Sequence, residues 1–277
     1  MELWQAFILG IVEGLTEFLP VSSTGHLRIA EGLMGMDLTS HALTAYSVVI
    51  QAGAIVAVLV YFAKDIWRII TGFCKGLFNP RHRGFDYKFG WYIIAGSIPI
   101  GIVGLVAKPL IEGPLANLWV VALALILWSA VMWFAEYAAT HQRKESQLRL
   151  ADTVIIGLAQ CVALIPGVSR SGATISAGLL RDLDRVTATR LSFFLGIPAL
   201  LGGSALELKD AFDGSIGVTP IVVGIVISFI TAYASIAWLL RFVASHSIVT
   251  FVWYRVGLGI LLMILIGAGA LSATGSS

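Results

Sequence analysis

Long apolar stretches with few charged residues dominate the sequence and limit the folds that the chain can adopt. Six of them approach the length of about 17–25 residues that a helix needs to cross a bilayer; they lie at about 42–63, 91–107, 117–138, 191–207, 218–240 and 250–272. Charged residues make up only 12% of the 277 residues, against about 25% in soluble domains. A transmembrane β-barrel would show short alternating segments instead. We therefore expect an all-α polytopic membrane protein.

Other features of the composition exclude several kinds of function. The net charge of +2 gives no electrostatic basis for binding nucleic acid. Cys74 and Cys161 lie far apart and lack metal-ligand spacing, so neither a disulfide framework nor a zinc site is expected. The N-terminal segment MELWQAFILG contains Glu2 and no basic residue, unlike a cleaved signal peptide. We expect the chain to insert through internal segments.

Basic residues predict which connections face the cytoplasm, because Lys and Arg accumulate on that side of a membrane. The connections 63–90 and 139–153 are rich in them, whereas 108–116 contains only Lys108. The first two are therefore expected in the cytoplasm and the third outside. This assignment places both termini outside, in a multi-pass membrane protein.

Two further apolar stretches are interrupted and are predicted to be re-entrant. The stretch 154–180 lies between the basic segments 139–153 and 181–190, so it must enter the membrane and turn back, with Pro166-Gly167 as the turning point. The stretch 3–19, interrupted at Pro20, should be re-entrant from the outside. Each half then has one re-entrant segment and three spans, and because three is odd the second half is inverted relative to the first.

The sequence itself contains a weak internal similarity that supports this inverted-topology repeat. LPVSSTG at 19–25 resembles IPGVSRSG at 165–172 with one inserted glycine, and Ile-Pro recurs at 98–99 and 197–198. We therefore predict a single integral membrane domain, 1–277, which contains a first repeat at 1–138 and a second at 154–272.

Ionisable residues within apolar segments are candidates for function, because each costs about 2.5–3.5 kcal/mol to insert at the centre of a membrane helix. Glu13 and Glu17 lie four residues apart, on one face of a helix, where like charges repel. A water-exposed helix face is the alternative interpretation. A cation between the carboxylates would stabilise the pair, and two carboxylates suit Mg²⁺, with Ca²⁺ as an alternative. Glu13 and Glu17 are the predicted metal ligands.

The hydroxyl residues that follow the first interruption offer a nucleophile. Ser22, Ser23 and Thr24 come shortly after Pro20, and hydroxyls in such a position often cap the next helix. His26, three residues after Ser23, places an imidazole near a hydroxyl on one helix face, which is the pattern of an activated serine. Ser23 and His26 are therefore predicted catalytic residues, and Ser22 and Thr24 are predicted to bind substrate.

The second interruption, PGVSRSGAT at 166–174, has the composition of an anion site. Glycine allows backbone N–H groups to approach an anion, and the N-terminus of the following helix is positive. Arg170 adds a planar guanidinium that pairs bidentately with phosphate oxygens, although it could instead extend towards the membrane surface. The predicted substrate-binding residues here are Arg170, Ser169, Ser171, Gly172 and Thr174.

The segments EGLTEFLPVSSTGH and PGVSRSGAT resemble the signature motifs of the bacterial undecaprenyl-pyrophosphate phosphatase family, the bacitracin-resistance type, and the resemblance extends over essentially the whole chain. It implies an integral inner-membrane enzyme that hydrolyses undecaprenyl pyrophosphate to undecaprenyl phosphate, the lipid carrier for peptidoglycan. It also implies a divalent cation, a site open to the periplasm, and functional roles for Glu13, Glu17, Ser23, His26 and Arg170.

Two other classes of function fit parts of the sequence. A transporter or flippase of a phosphorylated lipid or anion would use the same inverted repeat, and a membrane assembly partner would use the small residues only for packing. The sequence leaves open a serine nucleophile or activated water, the identity of the base, the metal, the prenyl length and whether the chain forms a homodimer.

Overall fold

A computed structural model describes residues 1–37, 40–115, 117–207 and 216–273, and its secondary structure is helical. The helices are α1 (Leu3–Thr16), α2 (Ser23–Leu33), α3 (His41–Tyr61), α4 (Ala63–Phe78), α5 (Phe85–Glu112), α6 (Leu118–Ala138), α7 (Leu150–Val162), α8 (Arg170–Leu180), α9 (Arg185–Glu207), α10 (Val218–Val243) and α11 (Val249–Gly267). Within these described ranges the extended pairing is limited to an isolated bridge between Arg143 and Leu183. The predicted all-α class is confirmed.

Six of these helices are long and apolar enough to cross a membrane: α3, α5, α6, α9, α10 and α11. They coincide with the six predicted stretches. The predicted starts of α5 and α9 were six residues late, at 91 and 191 instead of Phe85 and Arg185. Both helices begin with charged turns, which hydropathy does not detect but in which helical hydrogen bonding continues.

The basic connection 63–90 contains a helix that its charge pattern did not predict. Helix α4 follows α3 directly and has a buried side that includes Ile69 and Gly76. Its Phe73 stacks on Tyr87 and contacts Trp91 edge-on, at the start of α5. The apolar residues recur at helical spacing, so α4 is amphipathic and packs on α5.

The two predicted interruptions are breaks between short helices. Helix α1 ends at Thr16 and α2 begins at Ser23, whereas α7 ends at Val162 and α8 begins at Arg170. The residue before each second helix is a serine in the left-handed region, with φ of 76° at Ser22 and 78° at Ser169. Such a conformation costs a non-glycine residue about 1–3 kcal/mol, so the surrounding packing must fix both breaks.

Close helix packing holds the short helices in place. Helix α1 lies along α10, where Gly10 faces the backbone of Gly224, and α7 lies along α5, where Gly157 faces the backbone of Gly96. A Cβ atom at Gly10 or Gly157 would overlap the backbone oxygen of the glycine that it faces. In the first break, the fully buried ring of Phe18 packs edge-on against Phe193 of α9.

Candidate functional site

A cavity of about 140 Å³ lies where the two breaks meet. Its lining comes from the first break, the second break, α3 and α9: Glu17, Ser22, Ser23, Thr24, Gln51, Ala163, Pro166, Gly167, Ser169, Arg170 and Leu200. The structure therefore places residues of both predicted motifs around one cavity, although more than a hundred residues separate the motifs in sequence.

The Glu17 carboxylate joins side chains of the two motifs at the cavity. Ser23 Oγ donates a hydrogen bond to Glu17 Oε2 over 2.6 Å, and Arg170 Nη2 donates to Glu17 Oε1 over 3.1 Å. Ser23 and Arg170 are the first residues of α2 and α8. The side chains of Glu17 and Arg170 are only 5% and 11% exposed, so water screens this ion pair little.

The guanidinium of Arg170 occupies a space that α9 provides. Its Nη1 donates to the backbone oxygen of Ser192 over 3.3 Å. A Cβ atom at Gly196 would overlap the guanidinium, so only glycine leaves the necessary room. Arg170 Nε is buried and has no hydrogen-bond partner among the described residues. Arg170 thus keeps one buried donor that a bound anion could use.

Glu13 lies one helical turn before Glu17 and is more deeply buried, with 1% exposure. It does not line the cavity, but the charges of Glu17 and Arg170 both act on it. Its Oε1 atom is buried without a hydrogen-bond partner in the described part of the chain. A buried carboxylate oxygen in this condition is costly unless a proton or a cation satisfies it.

The hydrogen bonds of His26 do not go to Ser23, contrary to the expectation from their spacing. Its Nδ1 donates to the backbone oxygen of Ser22 over 2.7 Å, and its Nε2 lies 2.7 Å from the hydroxyl of Tyr254, which donates to it in the neutral tautomer. The two rings are also stacked, 5.6 Å apart. The base that contacts Ser23 in this structure is Glu17.

Several residues of the predicted anion site instead make structural hydrogen bonds. Ser169 Oγ accepts from the backbone N–H of Gly172 over 3.1 Å and caps α8, so that N–H is already used. Ser171 Oγ donates to the backbone oxygen of Leu19 over 2.8 Å, which joins the two breaks. Thr174 Oγ1 donates over 2.8 Å to the backbone oxygen of Arg170, one turn earlier. Of this group, only Ser169 and Arg170 line the cavity.

Three further polar residues line the site or contact its breaks and were not predicted. Gln51 of α3 lines the cavity and accepts a hydrogen bond from Ser204 of α9 over 3.3 Å. From α11, Tyr254 contacts His26 and the neighbouring Arg255 contacts both breaks. Gln51 and Arg255 could have been found, since each is a strongly polar residue within an apolar stretch. Tyr254 gave no such signal.

The candidate metal ligands of the site are two carboxylates, Glu13 and Glu17. No group of three or more His, Cys, Asp or Glu side chains suited to a metal ion occurs within residues 1–37, 40–115, 117–207 and 216–273. Mg²⁺ commonly binds through one or two carboxylates together with substrate phosphates. Glu13 and Glu17 have the donor chemistry for that kind of binding.

Comparisons with known proteins agree with the resemblance that the motifs suggested. Residues 6–261 match the family described as "Bacitracin resistance protein BacA". A relative from Frankia alni named "Undecaprenyl-diphosphatase 1" is 58% identical over 271 residues, covering 97% of this chain and 98% of the relative. Relatives of the same name from Streptomyces avermitilis and Streptomyces coelicolor are 57% and 56% identical, and the matches cover 97% and 96% of this chain and 98% and 97% of the relatives. The chain therefore belongs to the bacitracin resistance protein BacA family.

Proposed function

We propose that the protein hydrolyses undecaprenyl diphosphate to undecaprenyl phosphate and inorganic phosphate, which recycles the lipid carrier for cell-wall synthesis. The observation that carries this proposal is the convergence on Glu17 of a serine hydroxyl and an arginine. A hydroxyl, an adjacent base and a cation at one cavity are the parts that phosphoryl transfer to serine requires. Relatives that are 56–58% identical are named for this activity.

The chemical step would begin with Ser23. Its Oγ attacks the terminal phosphorus, its proton passes to Glu17, and the bond from that phosphorus to the bridging oxygen breaks to release undecaprenyl phosphate. Water then attacks the phosphoserine, which releases inorganic phosphate and restores Ser23. Arg170 donates hydrogen bonds to the transferring phosphoryl group and stabilises the charge that develops there. Direct activation of water by His26 or a glutamate is the alternative route.

Glu13 and Glu17 would hold a divalent cation, Mg²⁺ or alternatively Ca²⁺. The unpartnered, buried Oε1 of Glu13, one turn from Glu17, supports this assignment. When bound, such a cation would supply positive charge that neutralises the diphosphate oxygens. The carboxylates themselves fix the position of that charge within the protein.

The same proposal includes the predicted inverted-topology repeat, with 1–138 and 154–272 as the repeats and the helix pairs α1–α2 and α7–α8 as re-entrant segments. Both α2 and α8 have 11 residues, and each follows a serine with nearly the same left-handed φ. The first helix of each half packs on the second long helix of the other half through a glycine pair, Gly10 with Gly224 and Gly157 with Gly96. An inverted repeat would produce these paired contacts.

We also propose that both termini lie on the outer side of the inner membrane and that the site opens to the periplasm. Contacts among the predicted cytoplasmic connections support this orientation, because Arg190 binds Glu145 over 2.8 Å and Asp65 over 3.2 Å. Residues from three basic segments thus lie at one end of the molecule. At another point of the chain, the backbone oxygen of Ala273 accepts from the N–H of Leu118, so the C-terminal segment lies beside the predicted outer connection.

Transport or flipping of a phosphorylated lipid is the competing function, since broken helices in inverted repeats are common in transporters. The hydrogen bond from Ser23 to Glu17 favours hydrolysis, because a carrier of phosphate has no need of an activated hydroxyl. Continued flipping by a Ser23→Ala variant that no longer releases phosphate would show that the protein does both.

The test is phosphate release from undecaprenyl or farnesyl pyrophosphate by detergent-purified protein, with Mg²⁺ and with EDTA. Wild-type protein should release phosphate only with the metal, and Glu17→Ala and Arg170→Ala should not. A substrate carrying ³²P in its terminal phosphate should label the quenched protein, and Ser23→Ala should lose the label. A well-folded protein that releases nothing with any metal would refute the hydrolase assignment.

A further inference from the structure

Arg255 of α11 is a fully buried cation at the centre of the protein, with 0% exposure. Its guanidinium makes four hydrogen bonds: to the backbone oxygens of Pro20 at 3.2 Å, Gly167 at 2.9 Å and Ala124 at 3.4 Å, and to Ser129 Oγ at 3.2 Å. Two of these partners lie in the two breaks and the other two lie on α6. Arg255 therefore connects both breaks to the pair of helices that lies beside them.

We propose that Arg255 is a positioning residue that holds the two breaks in register, so that Ser23 and Arg170 meet at Glu17. The proposal rests on the proposed phosphatase function. Pro20 lies three residues from both Glu17 and Ser23, and Gly167 lies three residues before Arg170. A shift of either break would therefore move a reacting side chain. Among the described residues, Arg255 makes no hydrogen bond to Ser23 or Arg170, so its effect on them would be indirect.

The chemistry of the breaks explains why an arginine is needed. Carbonyl groups in a break between two helices, such as those of Pro20 and Gly167, lie outside the i to i−4 ladder and need other donors when they are buried. Guanidinium carries five N–H donors in a rigid planar arrangement, so one side chain can serve acceptors from several segments. Lysine has three donors on a single flexible nitrogen and cannot span the same acceptors.

The glycine of the second break is part of the same arrangement. Gly167 has φ of 99°, and a Cβ atom there would overlap the backbone oxygen of Val121 on α6. The second break is therefore pressed against α6, where the remaining partners of Arg255 also lie. The contact of Ser171 with Leu19 ties the breaks directly to each other, and Arg255 adds the connection to α6 and α11.

A positioning role differs from a general structural role in what its loss would change. Among the described residues, no ion pair includes Arg255, so its charge rests on neutral acceptors alone. An apolar replacement relieves the cost of burying that charge, and the protein can remain folded. The carbonyls at Pro20 and Gly167 would nevertheless lose their donor. We therefore expect the two breaks to lose their fixed positions before the rest of the fold is affected.

The experiment compares Arg255→Met and Arg255→Lys with wild type, and uses Arg241→Met as the matched control, because Arg241 lies exposed at the end of α10. We expect Arg255→Met to lower kcat about 100-fold, the effect of misplacing a catalytic group by about 1 Å, while KM stays near that of wild type. Arg255→Lys should lower kcat by less than Arg255→Met does, because lysine keeps the charge and some of the donors. Arg241→Met should keep the kcat of wild type.

Amide hydrogen exchange supplies a second measurement that does not depend on activity. In Arg255→Met, the amides of residues 17–24 and 163–171 should both exchange faster, whereas α3 and α10 should exchange as in wild type. Uniformly faster exchange, faster exchange in one break alone, or a folded Arg255→Met with the kcat of wild type would each refute the proposal.

If Arg255→Met does not fold, the same two measurements on Arg255→Lys decide the question. Should wild-type protein release no phosphate, the proposed function fails, but the exchange measurement still tests whether Arg255 holds the breaks.

Discussion

Replacement of Glu17 by glutamine tests the central contact of the site with the smallest change in shape. The carboxamide oxygen can still accept from Arg170, and its NH2 group can donate to Ser23 Oγ, but the carboxamide cannot take up a proton or carry charge. General-base catalysis contributes about 10²–10⁴-fold to a rate, which is about 2.7–5.4 kcal/mol of activation free energy. Because the carboxylate contacts the nucleophile at 2.6 Å and is also a proposed metal ligand, we expect Glu17→Gln to lower kcat by at least the lower end of this range.

The stability of the Glu17→Gln variant should fall much less than its activity. Arg170 keeps its bond to the Ser192 carbonyl and an amide acceptor in place of the carboxylate, so the loss is of the order of one charged hydrogen bond, about 1–3 kcal/mol. Thermal unfolding followed by circular dichroism measures this loss in the detergent-purified protein. A modest decrease in Tm together with the large decrease in kcat would separate chemistry from folding.

Glu31→Gln is the matched control for this prediction. Glu31 is as buried as the site carboxylates, with 1% exposure, and accepts a hydrogen bond from Ser47 over 2.9 Å, but it does not line the cavity. Its replacement should lower Tm and leave kcat near that of wild type. The rate of ³²P transfer to Ser23 is the decisive measurement: a Glu17→Gln variant that labels as fast as wild type would refute Glu17 as the base.

Two further substitutions test parts of the structure that support the site. Gly196→Ala should displace the Arg170 guanidinium and lower kcat/KM about 10–100-fold, whereas Gly202→Ala on the same helix, where the space is open, should have no effect; phosphate release measures both. Burial raises the pKa of Asp152, but hydrogen bonds from two arginine side chains and a backbone N–H outweigh it and hold that pKa below its usual value. A lowered pKa stabilises the fold above the unfolded pKa and the effect is lost as pH falls through the folded pKa, so Asp152→Asn should lower Tm at pH 7 and lower it by less at pH 3. An equal change of Tm at both pH values would contradict this reasoning.

The sequence alone predicted the helical class, the six long helices and the two breaks. A run of apolar residues indicates a segment that lies in lipid, and a proline within such a run indicates where the helix is interrupted. Both signals are local in the sequence. The sequence also drew attention to Glu17, Ser23 and Arg170, which the structure brings together at one cavity, because polar residues are conspicuous where most other side chains are apolar. The resemblance to a known family was carried by the two motifs that contain these residues.

The partners of these side chains were decided only by the tertiary structure. The spacing of Ser23 and His26 indicated a catalytic pair, yet His26 bonds Ser22 and Tyr254 while Ser23 bonds Glu17, because a helix face brings side chains near each other without choosing their acceptors. The same is true of Arg255, whose partners come from α6 and from breaks more than 80 residues away. Local pattern fixes which segments enter the membrane, but the packing of helices distant in sequence determines which polar atoms meet inside it.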